Sequence, residues 1–275
     1  MSGKLLIIGT PIGNLGDLTP RMAEAMRGCD LLLCEDTRHS GRLLQHLGIE
    51  AKLESFHDHN EDGKGERMAA LIEAGKTVGL ISDAGLPVIC DPGFALVRLA
   101  RQRQMRVETI PGPFAGSLAL VASGIAPLPF AFFGFTPHKQ GARLDFYRDM
   151  AARAMTSIVY ESPQRLIDSL RDALSILGDV EATVAREMTK LHEEIANGVI
   201  STLLESFSAR ETIRGEITIV FAAAAKTEPV HSESDLLREF EALREKGMRR
   251  ADAIKVLAEG HGLRKNDLYK MLMGE

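Results

Sequence analysis

The feature that most constrains this chain is a repeated order of a short apolar run, a loop rich in Gly, Pro and small polar residues, and a helical stretch. This order is typical of a parallel β-sheet covered by helices, because neighbouring parallel strands need a long crossover connection. The first half predicts strands at 5–9, 31–34, 54–57, 78–81 and 107–110, and helices at about 19–27, 40–47, 65–75 and 93–102. We therefore expect an α/β protein.

The pattern changes after residue 110, where Pro111-Gly112-Pro113 stops the fifth strand. Beyond it we predict strands at 130–135, 156–161, 181–186 and 216–222, and helices at 115–124, 143–153, 165–177 and 203–209. From Asp235 the sequence is helical, and helices at 251–259 and 265–273 around Gly260-His261-Gly262 resemble a helix-turn-helix. The predicted organisation is an α/β domain over 1–112, a second over 113–225, a polar linker over 226–234 and a helical module over 235–275.

Composition and charge narrow the function classes. The net charge of −5 means that any contact with nucleic acid must come from local basic patches and not from an overall positive field. Cys29, Cys34 and Cys90 are odd in number and form no CxxC pair, so we interpret them as reduced core residues. The apolar stretch at 5–8 is too short for a signal peptide and no later stretch reaches transmembrane length, which predicts a cytoplasmic protein.

The loops that follow the predicted strands are the candidate binding site. Ligands of open α/β sheets bind beyond the carboxyl ends of the strands, so these loops should gather around one cleft. The loop at 10–14 is neither GxGxxG nor a Walker loop, so it gives little support to a nicotinamide or ATP site. Asp83 and Asp91 are ordinarily interpreted as caps of the turn and helix that follow them. The serial recurrence of such loops is what favours a binding site.

Taken in order, the loops resemble the tetrapyrrole methylase superfamily, and within it the branch that methylates small-subunit ribosomal RNA. The motifs that carry the resemblance are Gly9-Thr10-Pro11-Ile12-Gly13-Asn14-Leu15, Cys34-Glu35-Asp36-Thr37-Arg38, His57-Asp58-His59-Asn60-Glu61, Ser82-Asp83-Ala84-Gly85-Leu86-Pro87 and Ile110-Pro111-Gly112-Pro113. It continues through Tyr160-Glu161-Ser162-Pro163, the stretch 185–190 and Arg214-Gly215-Glu216 to the helical tail, so it covers almost the whole chain. One departure is Leu86, where relatives of this branch often carry Thr or Ser.

The resemblance implies two α/β domains of the tetrapyrrole methylase type, with S-adenosylmethionine in the cleft between them, and a homodimer. It also implies the reaction, which is 2′-O-methylation of a cytidine ribose in the decoding region of small-subunit (16S) ribosomal RNA, within the assembled 30S subunit. The cofactor contacts that it implies are Pro11, Asp83, Ala84, Gly85, Pro87, Val88, Ile89, Gly112, Pro113, Ala115, Tyr160, Glu187, Gly215 and Glu216.

Methyl transfer to a ribose needs alignment and activation of a hydroxyl that is a very weak acid. A positioned base contributes about 10²–10⁴-fold to such a step. Candidates for the catalytic groups follow the predicted strands, and they are Glu35, Asp36, Arg38, His57, His59, Asn60 and Lys190.

Each candidate group also has an ordinary structural interpretation. Arg38 would neutralise Asp36 within an internal ion pair while Thr37 caps a helix. The run at 57–61 would be a solvated polar loop, and its two histidines do not predict a metal site because a supporting ligand set is missing and methyl transfer needs none. Lys190 would contact a phosphate or lower the pKa of the hydroxyl, anchored by Glu187, or would form only an exposed ion pair.

Two basic stretches are the predicted RNA contacts. Residues 246–275 hold seven Lys or Arg against four Asp or Glu, and residues 139–153 hold four against two. The candidates for phosphate contacts are Lys139, Arg143, Arg249, Arg250, Lys255, Arg264, Lys265 and Lys270. Charge runs of this size are more often solvated faces.

Two other functions compete with ribosomal RNA methylation. A methylase of a tetrapyrrole or another small molecule would use the same cleft, but it would have little use for a basic helical tail. A non-catalytic RNA-binding assembly factor with this fold would bind RNA without binding the methyl donor.

Overall fold

The computed structural model describes residues 3–224, 233–261, 268–269 and 271–272, except the side chains of 58–62, 233–235 and 259–261. The chain divides into two compact units, Met1–Ala224 and Ala225–Glu275. No helix within the described residues is long and apolar enough to cross a membrane.

The first sheet is wholly parallel, as predicted, with strand order β3-β2-β4-β1-β5. Its strands are β1 (Lys4–Ile8), β2 (Leu31–Cys34), β3 (Leu53–Ser55), β4 (Thr77–Ile81) and β5 (Arg106–Ile110). Its helices are α1 (Pro20–Arg27), α2 (Thr37–His46), α3 (Asp58–Glu73) and α4 (Phe94–Gln102). All its strands therefore end at one edge.

Successive side chains along each strand point to opposite faces of this sheet, so a buried core forms on each face. Leu5 and Ile7 pack with the buried side chains of α3 and α4, whereas Leu6 and Ile8 pack with those of α1 and α2. Continuously apolar strands of this kind are typical of a sheet covered on both faces.

The second sheet is mixed, with order β6-β7-β10-β8-β9. Its strands are β6 (Phe130–Phe135), β7 (Thr156–Glu161), β8 (Glu181–Arg186), β9 (Glu194–Val199) and β10 (Ile217–Phe221), and its helices are α5 (Ala115–Ser123), α6 (Gln140–Arg153), α7 (Leu166–Leu177) and α8 (Ile200–Ser208). Only β6 and β7 pair in parallel, and β10 runs antiparallel to both its neighbours. The carboxyl ends of β6, β7 and β8 and the amino end of β10 consequently share one edge.

The second unit contains α9 (Glu233–Glu245) and α10 (Arg250–His261). Leu236 and Phe240 of α9 and Ile254 and Leu257 of α10 are buried together with Leu268 in a core of its own. The turn predicted at 260–262 is wrong at Gly260 and His261, because α10 continues to His261, and Gly262 lies outside the described residues. Most of the predicted linker, up to residue 232, lies outside the described residues, and the division at 112–113 stays a prediction.

Three further expectations are corrected. Helix α3 begins at Asp58 and not at about residue 65, so the backbone of the predicted polar loop belongs to a helix. Strand β9 was not predicted. All three cysteines are free, but Cys90 is exposed and Cys29 is only half-buried, so the core assignment holds for Cys34 alone.

Candidate functional site

The loops after β1, β4 and β5 are joined by main-chain hydrogen bonds. The Thr10 N–H donates to the Gly85 carbonyl at 2.9 Å, and the Gly85 N–H donates back to the Thr10 carbonyl at 3.1 Å. The Gly9 N–H donates to the Ile110 carbonyl at 3.1 Å. A Cβ atom at Gly9 would lie 2.5 Å from Gly112 Cα, so glycine is required where these loops cross. The predicted convergence of strand-end loops is confirmed.

A cavity of about 400 Å³ lies between these loops and the shared edge of the second sheet. The predicted residues that line it are Asp83, Ala84, Gly85, Ile89, Pro113, Ala115, Tyr160, Gly215 and Glu216. Leu86 and Phe114, which lie within the predicted cofactor loops at 83–89 and 112–115, also line it. The lining residues that sequence reasoning did not assign to a cofactor are Ile12, Cys90, Asp91, Phe135, Glu161, Ser162, Pro163, Met188, Ile217 and Thr218. The volume is within the range of about 300–1,000 Å³ that is typical of small-molecule sites.

Five predicted cofactor residues do not line the cavity, and they are Pro11, Pro87, Val88, Gly112 and Glu187. Pro11 and Pro87 are buried. Val88 has a φ of 78°, a conformation that is strained for a β-branched residue. The contact of these five residues with a cofactor stays a prediction.

The wall contributed by the second sheet is aromatic and apolar. Tyr160 lies opposite Thr218 in the β7–β10 register, and its ring is 4.9 Å from that of Phe132 and 5.3 Å from that of Phe135 between centroids. Burial raises the pKa of the Tyr160 hydroxyl, which therefore stays uncharged at neutral pH. Such a wall suits a planar or hydrophobic group.

Carboxylates give the cavity negative charge. Asp83 and Asp91 follow β4, and Glu216 precedes β10. Glu161 is buried, but it accepts a hydrogen bond from the Ser162 N–H at 2.7 Å and pairs with Arg165 at 2.8 Å. Its charge is therefore neutralised locally, and Glu216 pairs with Lys190 at 3.2 Å. The carboxylates of Asp83 and Asp91 add negative charge that favours a cationic ligand.

The cluster after β2 borders the site without lining the cavity. The Asp36 N–H donates to Asp83 Oδ1 at 3.4 Å. Hydrogen bonds from Arg38 lower the pKa of Asp36 to about 2, and Asp36, not Thr37, caps α2. The internal ion pair therefore exists, and Asp36 is a weak base. Glu35 is exposed at the same strand end.

Lys190 joins the two halves of the cleft. Its aliphatic chain covers Gly13, where a Cβ atom would lie 2.5 Å from Lys190 Cγ. Its ammonium is 2.8 Å from Glu187 Oε1 and 3.2 Å from Glu216 Oε2. Partial burial works to lower the pKa of Lys190, but the two carboxylates outweigh it and raise the pKa. Lys190 is therefore a fixed positive charge beside the cavity, and its ion pair is partly buried.

The histidine run lies farther along the sheet edge. His57 is half-buried after β3, and β2 and β4 lie between β3 and β1 in the sheet. The side chains of His59 and Asn60 lie outside the described residues. His57 does not line the cavity, so its catalytic role stays a prediction.

The predicted RNA contact through Arg143 is wrong. Arg143 is buried, and its guanidinium donates to Asp172 Oδ2 at 2.6 and 2.9 Å. Arg148 and Arg153 pair with acidic residues of the same helix, which leaves Lys139 as the exposed cation at the start of α6.

In the second unit, the predicted RNA contacts that the structure describes lie on the surface, unlike Arg143. Arg249, Arg250 and Lys255 are exposed. Arg264, Lys265 and Lys270 lie outside the described residues. Contact of this unit with RNA stays a prediction.

Strand register carries a signal for the residues that were missed. Thr218 faces the cavity because it pairs with Tyr160 across β10 and β7, and paired residues point to the same face. Met188 directly follows Glu187 in a motif already singled out. Other missed residues also lie in motifs already singled out, and they are Ile12, Leu86, Glu161, Ser162 and Pro163. Phe135, at the end of β6, lies in no such motif, and the relative placement of the two sheets brings it to the cavity.

Comparisons with known proteins agree with this geometry. Residues 4–204 match the model of the tetrapyrrole (corrin/porphyrin) methylases. The chain is 41% identical, over 98% of its length and 97% of the relative's, to a Synechocystis sp. protein named ribosomal RNA small subunit methyltransferase I. It is 42% identical to a protein of the same name from Escherichia coli O157:H7, over 98% of this chain and 94% of that one.

Two solved structures share the fold. Uroporphyrin-III-C-methyltransferase from Thermus thermophilus has a TM-score of 0.55 and 18% identity, over 79% of this chain and 94% of that one. Diphthine synthase has a TM-score of 0.62 and 11% identity, over 80% of this chain and 90% of that one. At these identities the likeness concerns the fold alone.

Proposed function

The chain belongs to the tetrapyrrole (corrin/porphyrin) methylase family, and we propose that it transfers the methyl group of S-adenosylmethionine to a cytidine 2′-hydroxyl in small-subunit (16S) ribosomal RNA. The observation that carries the proposal is the end-to-end match to relatives named for this RNA, at 41% and 42% identity over 98% of the chain. That match includes the C-terminal helical unit, whereas the family model ends at residue 204.

The residues around the cavity fit S-adenosylmethionine. Asp83 and Asp91 offer carboxylates to a ligand that carries a sulfonium and an ammonium group, and Glu216 adds a carboxylate that Lys190 also contacts. The loops at 83–86 and 113–115 line the cavity, so their main-chain groups are those that we propose for polar recognition, and Tyr160 offers an aromatic face to the purine or to the cationic sulfur.

Bound S-adenosylmethionine supplies a methyl group on a positively charged sulfur that departs as a neutral thioether. The protein therefore has two tasks, which are to align the acceptor oxygen and to accept its proton. Holding two reactants in line can contribute about 7–11 kcal/mol to lowering the barrier. The hydrogen-bonded loops and the rigid Tyr160 wall perform the first task.

The second task is to accept the proton of the 2′-hydroxyl. The charges of the neighbouring side chains limit which of them can act as the base. Asp36, with a pKa of about 2, is too weak a base. Lys190 is held protonated between Glu187 and Glu216 and stabilises negative charge as it develops on the oxygen. Glu35, His57 and His59 are the groups that we propose as proton acceptors, since histidine and glutamate side chains commonly act as general bases.

The finer parts of the proposal concern the partners. The enzyme acts as a homodimer in the cytoplasm, and its substrate is the assembled 30S subunit. The exposed Arg249, Arg250 and Lys255 of the helical unit contact phosphates, since they are accessible to a ligand.

Transfer of labelled methyl from S-adenosylmethionine tests the proposal. Purified protein is offered small subunits that lack modification, the naked ribosomal RNA, or a tetrapyrrole. We expect label in the subunits and none in the tetrapyrrole. Label only in the tetrapyrrole would support a small-molecule methylase, and RNA binding without any transfer would support an assembly factor.

A further inference from the structure

A second cavity, of about 380 Å³, opens at the same edge of the second sheet. Its lining residues are Arg186, Arg210, Thr212, Ile213 and Arg214. Arg186 ends β8, and the other four belong to the loop between α8 and β10. We call it the arginine cavity. None of its residues was singled out as an RNA contact from sequence.

The charges in the arginine cavity are unbalanced. Glu194 pairs with Arg186 at 2.9 Å and with Arg210 at 2.6 Å, so two guanidinium groups share one carboxylate. Arg214 is exposed and forms no ion pair with any residue in the described part of the chain. The lining of the arginine cavity thus contains three guanidinium groups and no carboxylate, and Glu194 pairs with two of the three, which favours an anion.

Two of the guanidinium groups are held in place before any ligand binds. Arg210 stacks on the Phe207 ring, with its central carbon 4.0 Å from the ring centroid. Arg186 donates to the Arg214 carbonyl at 3.1 Å, in addition to its pair with Glu194. Planar donors fixed in this way match the oxygens of a phosphate, and little side-chain entropy is lost when they bind one.

The arginine cavity adjoins the methyl-donor cavity. Arg214 precedes Gly215 and Glu216, which line the donor cavity. Arg186 precedes Glu187, whose carboxylate accepts a hydrogen bond from the Glu216 N–H at 2.9 Å. The two cavities therefore adjoin, and two short segments that are hydrogen-bonded to each other lie between them.

We propose that the arginine cavity binds a backbone phosphate of the RNA next to the nucleotide that is methylated. This inference rests on the proposed function and adds to it the group that positions the strand. The competing interpretation is a structural clamp, in which Arg186 and Arg210 only hold Glu194. A clamp would affect stability but not the salt dependence of RNA binding.

The test replaces Arg214, because it is exposed and outside the ion pairs, so the fold should tolerate the change. For Arg214→Gln we expect the KM for unmodified small subunits to rise about tenfold, with the Kd for S-adenosylmethionine unchanged. We also expect the slope of log affinity against log salt to fall by about 0.7–0.9, the value for one lost phosphate contact.

Arg101→Gln is the matched control. Arg101 is an exposed arginine in the last turn of α4, and so it lies at the opposite edge of the first sheet from the loops. The Arg101→Gln variant should keep the wild-type KM for small subunits and the wild-type slope of log affinity against log salt. Transfer by the wild type with unchanged KM and slope in Arg214→Gln would overturn this inference alone. Absence of transfer to RNA by the wild type would overturn the proposed function, and this inference with it.

Discussion

Replacing Gly9 by alanine tests whether the crossing of two strand-end loops builds the donor site. The new Cβ atom would lie 2.5 Å from Gly112 Cα and 2.7 Å from Gly112 N. Ordinary van der Waals contact begins at 3.4 Å, so the two backbones must separate by about 0.9 Å, that is 3.4 − 2.5. Overpacking of this size costs about 1–3 kcal/mol of stability. A misplacement of about 1 Å at a reacting centre costs about 10²-fold in rate.

We therefore expect Gly9→Ala to remain folded, to bind S-adenosylmethionine at least tenfold more weakly, and to lose about 10²-fold in methyl transfer. Titration calorimetry measures the affinity and urea unfolding the stability. Gly141→Ala is the control, because nothing lies within 4 Å of its added Cβ atom. Wild-type affinity and stability in Gly9→Ala would refute the reasoning.

Three further predictions concern charged groups. Lys190→Gln should lower kcat about 10²-fold with little change in donor affinity, and steady-state kinetics showing recovery in Lys190→Arg would support a purely electrostatic role. Arg143→Leu should lower the free energy of unfolding by about 3–5 kcal/mol, because Asp172 stays buried without its partner, and urea titration measures it; an unchanged value would contradict the buried pair. Hydrogen bonds from Arg210 lower the pKa of Glu194 to about 2 from 4.5. This pairing stabilises the fold above about pH 4.5, and the stability is lost as pH falls towards 2. The melting temperature of Glu194→Gln should therefore depend less on pH in this range than that of the wild type. An equal pH dependence in the two proteins would count against the pairing.

The first sheet could be predicted from sequence because its signals are local. Strands β1, β2 and β4 are largely apolar, and the loops after β1, β4 and β5 are rich in Gly or Pro, so strand and loop follow from one pattern. The start of α3 could not be predicted from sequence, because Gly63 and Gly65 are poor helix formers. Burial of Met68 and Ile72 against the sheet outweighs that local preference.

Strand β9 could not be predicted from its own residues, because pairing with a neighbouring strand determines its structure. Its Asn197 and Gly198 are unfavourable in strands, yet β9 pairs with β8 at six successive positions. Arg143 gives the same lesson for charge, because its partner Asp172 lies 29 residues away and only the packing of α6 on α7 brings them together. The arginine cavity likewise joins residues of β8 and of the loop before β10.

Chemical mapping of the product tests the central claim most directly. A methyl group on a ribose 2′-oxygen blocks alkaline cleavage of the following phosphodiester bond, whereas a methyl group on a base leaves it cleavable. Small subunits methylated by this protein should therefore yield one new alkali-resistant linkage, on the 3′ side of a cytidine. Methylation of a base, or transfer to any acceptor other than ribosomal RNA, would contradict the account.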